Sequence, residues 1–168
     1  MTIWREWRFM FRNKVPYKAG DIAEWFLNKN RTQMNFEDSE YITNLKLQKL
    51  LYYAQGYFLA KKGYPLFDED FLAWEHGPVI KIIYNKYKNN GSRGIVYDKD
   101  FDIEVDEETE GILERVYENY GQYSAWKLRN MTHEEAPWRL TPRNGTIPKG
   151  KIKEYFEGKM KDAGEMCS

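Results

Sequence analysis

The sequence predicts a mainly α-helical protein, a single compact helical domain around a central helix with a minor β-hairpin or short-strand element. Three observations lead there. Between Ile42 and Lys62, Leu47, Leu50, Leu51, Ala54 and Phe58 recur at i, i+3, i+4, i+7 and i+11, which is one face of a helix. Leu45, Tyr52 and Leu59 fall on the opposite face, and a helix apolar on two sides is covered on both. Four further segments carry a helical period. A chain of 168 residues with 42% hydrophobic and 17% aromatic content is long enough and apolar enough to bury a core.

Taken in order, Met1–Asn13 reads as a basic amphipathic helix. Trp4, Trp7, Met10 and Phe11 lie on one side, and Arg5, Arg8 and Arg12 on the other. Such a piece docks on a membrane or partner, or it is an extension that folds back or does nothing. Residues 1–16 are therefore set apart from a domain at residues 17–168. A helix follows at Ala19–Lys29, with Ile22, Ala23, Phe26 and Leu27 on its buried face, and a polar connection leads from Asn30 to Glu40. Thr43 is the N-cap of the central helix, and Gly63, with Pro65 just beyond, is its stop. Tyr64–Val79 lacks helical spacing and suits a short strand or hairpin. Gly77-Pro78 reads as a turn with proline at the first position of the next helix. That helix turns Val79, Ile80, Ile83, Tyr84 and Tyr87 inward and ends at Gly91.

From Asp98 to Glu110 eight acids face one base, Lys99. Phe101, Ile103 and Val105 alternate with the acids, the pattern of a half-buried strand. The end of the run enters the first turn of a helix, where carboxylates suit the dipole. Ile112, Leu113, Val116, Tyr117 and Tyr120 give that helix one stripe, and Gly121 ends it. Ser124 caps a short successor through Met131, and Thr132-His-Glu-Glu135 reads as a capping box. A loop with Pro142, Gly145 and Pro148 precedes the last helix, Lys149–Lys161, which buries Ile152, Tyr155, Phe156 and Met160.

Lysine plus arginine equals aspartate plus glutamate at 26 each, so the formal charge is zero. Bulk electrostatic binding of nucleic acid is not the expectation. The single cysteine, Cys167, cannot form an internal disulfide. No apolar run approaches the ~20 residues of a spanning helix, and basic and acidic residues interrupt the N-terminus, so a cytoplasmic protein is expected.

No catalytic, cofactor or metal set emerges. His76 and His133 have no cysteine or histidine at ligand spacing. Gly145–Ile152 has the glycines and lysine of a phosphate loop, but isoleucine replaces the Ser or Thr and Pro148 removes an N–H. Two polar edges of the central helix, Lys46/Lys49 with Tyr53 and Gln48/Gln55, are where a partner would be read. Trp74 beside Glu75-His76 joins an apolar ring to polar neighbours at a turn. The expected partner surface is accordingly Lys46, Lys49, Tyr53, Trp74, Glu75 and His76.

Two resemblances go further. The ordered set Leu45-Lys-Leu-Gln-Lys-Leu-Leu-Tyr52, Pro65-Leu-Phe67, Phe71-x-Ala-Trp-x-x-Gly-Pro-Val79, Tyr84, Tyr120-Gly121, Thr132-His-x-Glu-x-Pro-Trp138, Ile152 and Tyr155-Phe156 resembles the Panacea domain. This SocA-like antitoxin domain is often labelled phage-associated, and the likeness covers roughly Tyr17–Glu157. It implies a helical fold with a minor β element. It also implies an antitoxin that neutralises a cognate protein toxin by direct binding, the toxin typically being encoded by the adjacent gene. The alternative is a phage-derived adaptor or regulator of a host protein. Separately, Arg129-Asn-Met-Thr-His133 resembles the arginine–histidine spacing of HEPN-type ribonucleases, one residue short of their usual range. That implies an enzyme acting on RNA through Arg129 and His133.

Overall fold

The computed structural model describes residues 15–34 and 40–164. The amphipathic pattern of Met1–Asn13 and Cys167 lie outside the described residues. Helix α1 spans Ala19–Gln33, a turn longer than its apolar period predicts, and α2 spans Asn44–Lys62. Strands β1 (Phe71–Trp74) and β2 (Gly77–Val79) lead to α3 (Lys81–Tyr87), which runs into a 3-10 turn at Lys88–Asn90. Then come α4 (Glu107–Tyr120), α5 (Ala125–Glu134), α6 (Ala136–Arg139), β3 (Thr146–Ile147) and α7 (Lys149–Asp162).

Helix α2 is the axis. Thr43 accepts a hydrogen bond from the Lys46 backbone at its start, and Gly63, at φ 81°, ends it in the left-handed conformation expected of a C′ glycine. Leu47, Leu50, Leu51, Tyr52, Ala54 and Leu59 are fully buried, and α1, α3, α4, α5, α7 and β2 all pack against the rod. Both apolar faces are covered, as their spacing requires. Gly56 lets α7 approach closely, because a Cβ there would lie 2.3 Å from the Phe156 ring.

The three strands form one antiparallel sheet in the order β2-β1-β3. Leu72 pairs with Val79 and Trp74 with Gly77, leaving Glu75 and His76 as a two-residue turn. Gly77, at φ 101°, closes that turn. Gly77-Pro78 therefore belongs to a strand and does not open the helix. Ile80 is the N-cap of α3, and Pro78 is tolerated in a short strand whose carbonyl is used instead.

Three more sequence expectations are corrected. Phe101–Val105 makes no strand, although its burial alternates as the pattern requires. Thr132 lies inside α5, its hydroxyl donating to the Arg129 carbonyl, and Glu135 caps no backbone group with its side chain, so the capping box does not form. The loop after α6 contains β3, which pairs Phe71 with Ile147.

Candidate partner-binding site

The sequence-derived site residues separate into three environments. Tyr53 is fully buried; it stacks on Tyr120 at 3.9 Å and 8° and donates to the Glu135 carboxylate at 3.2 Å. Lys46 turns toward the end of α4 and donates to the Gly121 carbonyl at 2.5 Å, where a cation suits the helix C-terminus. Trp74, Glu75 and His76 stay together at the hairpin turn, the last two exposed.

Lys49 is also fully buried, beneath that hairpin, and donates to the Pro78 carbonyl at 3.0 Å. Burial lowers its pKa to about 7, with the Arg129 charge a smaller contribution in the same direction. Gln48 accepts from the Ile80 N–H at 2.9 Å and donates to Asn44, whose own amide donates to the Tyr84 carbonyl at 3.1 Å. Gln55 accepts from Leu66 N–H and donates to Phe67 C=O, both at 2.8 Å. The polar edges of α2 thus face inward and satisfy the backbone of the non-helical segments. A buried N–H or C=O without a partner is costly, and these amides remove that cost. Lys49, Tyr53, Gln48 and Gln55 therefore do not form a surface edge in this conformation.

Against the Asn44, Gln48 and Lys49 side of α2 lies a groove of about 570 Å³. Leu45, Val79, Trp74 and Tyr84 supply its apolar walls, the two rings meeting edge to face at 4.9 Å. His76, Lys88 and Arg143 line it with Glu75 as the single carboxylate. Among the described residues, neither Lys88 nor Arg143 forms an ion pair. Trp138 donates its indole N–H to the Trp74 carbonyl at 2.8 Å, fixing the base of the turn. Beside it Trp126, 56% exposed, lies 5.9 Å from the His76 ring and under the Arg129 guanidinium at 4.7 Å.

Arg129 and His133 lie on the same helix behind this turn. The His133 ring stacks on Trp138 at 3.8 Å and 4°. Its Nε2 is enclosed without a hydrogen-bond partner, as is Arg129 Nε. Burial, then the Arg129 charge, lowers the His133 pKa below its usual value. The stack on Trp138 and the enclosed Nε2 give His133 a packing role in this conformation. Among the described residues no group of three His, Cys, Asp or Glu side chains is placed to hold a metal ion. No helix among them is long and apolar enough to cross a membrane.

The profile of the family described as "Antitoxin SocA-like, Panacea domain" matches residues 47–139, more than half of the chain. The chain belongs to this family. Antitoxin SocA of Caulobacter vibrioides (strain NA1000 / CB15N) is 38% identical over 109 residues, covering 58% of each chain. No solved structure matches. The Panacea match runs from the first turn of α2 to the end of α6, so it includes the hairpin, α3, Trp126 and Lys49. Lys46, Arg143 and Asn144 fall outside it.

Arg143 and Asn144 were absent from the sequence-derived set. They reach the groove because Ala73 N–H donates to Gly145 C=O at 2.9 Å and Asn144 N–H to Ala73 C=O at 2.8 Å. The local hint was Arg-Asn-Gly, a turn signal, and Asn144 does take a positive φ of 65°. Lys88 is exposed on the 3-10 turn, and nothing local in the sequence says what it stands beside.

Proposed function

We propose that this chain is an antitoxin that neutralises a cognate protein toxin by binding it directly, without catalysis. The observation that carries this reading is the 38% identity to Antitoxin SocA over 109 residues, beside the match to the SocA-like Panacea family. The binding unit is placed at residues 17–168, acting in the cytoplasm, and the toxin is the product of the adjacent gene. The contact face is the hairpin groove with Trp74, Glu75 and His76, and Lys49 serves it from beneath. Exposed aromatic rings inside a polar rim are the usual anchors of a protein interface. The rigid core supports this role, since a pre-organised face loses little entropy on binding.

Co-expression decides it. The adjacent gene induced alone is expected to arrest growth, and this chain supplied with it is expected to restore growth. A neighbour that is harmless, or whose toxicity persists, removes the antitoxin reading. Purified chain that cleaves RNA, with activity lost in His133→Ala, would replace it with the ribonuclease.

A further inference from the structure

We infer that the hairpin groove receives an acidic segment of the partner protein carrying an apolar or aromatic anchor. This inference rests on the binding role proposed above and names the chemistry of what is bound. The walls ask for an apolar group, because the partly buried Leu45 and Trp74 and the half-exposed Tyr84 leave carbon surface open to water. The rim asks for negative charge. Lys88 and Arg143 stand exposed and unpaired among the described residues, and His76 adds a third basic group. Behind the turn, the Arg129 guanidinium adds a positive charge of its own, and burial, with that charge second, lowers the pKa of Lys49 and His133. Charges of one sign converging on a low-dielectric cleft attract the opposite sign.

Other occupants fit less well. Nucleic acid carries a charge on every residue, and the groove is walled more by carbon than by cations. The arginines of Met1–Asn13 have the wrong sign. A second copy could offer the Asp98–Glu110 run, but its apolar residues Phe101 and Val105 are packed against their own core.

The test is selection of short random peptides on the full-length immobilised chain, followed by affinity measurement of the enriched peptides by fluorescence anisotropy. Enriched peptides are expected to carry acidic residues flanking an apolar or aromatic one, and to bind more weakly as salt rises. Lys88→Glu and Arg143→Glu, each checked for an unchanged melting curve, are expected to weaken them by about tenfold or more. Lys61→Glu, at the far end of α2, is expected to bind as wild type. Enrichment of neutral or basic peptides, or no enrichment, overturns the inference. So does affinity unchanged in both reversals, tighter binding of a single-stranded RNA oligonucleotide, or concentration-dependent dimerisation lost on Arg143→Glu. None of these readouts uses the toxin, so a failed groove and a failed antitoxin are distinguishable. Growth rescue that survives both reversals would dismiss the groove while leaving the antitoxin in place.

Discussion

Toward its N-terminus α2 meets the rest of the molecule through hydrogen bonds from Asn44, Gln48 and Lys49 to the hairpin and α3. Toward its C-terminus it meets α4 and α7 through rings. Tyr52 and Tyr53 pack edge to face on Phe156, and Tyr53 stacks on Tyr120. Each such aromatic pair contributes roughly 0.5–1.5 kcal/mol beyond its buried area. The ring-packed end is dense in what fills it, and the hydrogen bonds of Tyr53 with Glu135 and of Gln55 with Leu66 and Phe67 add to that packing. The hydrogen-bonded end holds a three-residue strand and a two-residue turn, elements too short to be stable by themselves. The difference teaches where a binding face can sit on a small helical domain. One end makes the scaffold, and the other uses the scaffold to fix a short hairpin whose tip stays in water.

The sharpest way to break the comparison is to weaken the scaffold end. Leu50 has no exposed surface, and Leu50→Ala is expected to destabilise the fold by roughly 2–5 kcal/mol, read from denaturant unfolding. An unchanged midpoint would mean that α2 is not the enclosed rod described. The hairpin end should respond differently. Gln48→Leu keeps the volume but strands the Ile80 N–H and breaks the link to Asn44. Its expected cost is about 1–3 kcal/mol, with hydrogen exchange at Ile80 and along β2 accelerated more than in α7. Equal acceleration in both places would show that the two ends are one cooperative unit.

The same contrast explains what could be read from the chain alone. Helix α2 was legible because its signals are local: Thr43, the leucine spacing and Gly63 all act within a few residues. The proposed partner surface is only half legible. Trp74, Glu75 and His76 are contiguous, and a turn keeps them exposed. Lys49 and Gln48 look the same in sequence as solvent-facing polar residues, because their partners lie 29 and 32 positions away. Glu135 was misread for a similar reason. A capping box is a local motif, but Tyr53, 82 residues distant, and Lys159 at 3.6 Å draw that carboxylate into the core instead. Where a polar side chain had a nearby use and a distant one, the buried distant backbone or hydroxyl won, since leaving it unpaired costs more than fraying a helix end.

Lys49 supplies the smallest and most discriminating effect. Folding moves its pKa from the ordinary 10.5 down to about 7. Between those values the unfolded chain holds a proton that the folded one has released, so folding stability rises with pH across that window. Below about pH 7 both states hold the proton, and the folded state carries the full cost of an enclosed cation with no carboxylate partner among the described residues. Lys49→Met removes the cation and its pH dependence together, and it also removes the bond to the Pro78 carbonyl. The variant's stability relative to wild type is therefore expected to fall by about 1 kcal/mol between pH 7.5 and pH 8.5. Parallel pH–stability curves would show that the ammonium is solvated and that the hairpin end of α2 is not enclosed. Curves that converge as expected would establish that a group tuned to near-neutral pH sits directly under the turn that carries His76.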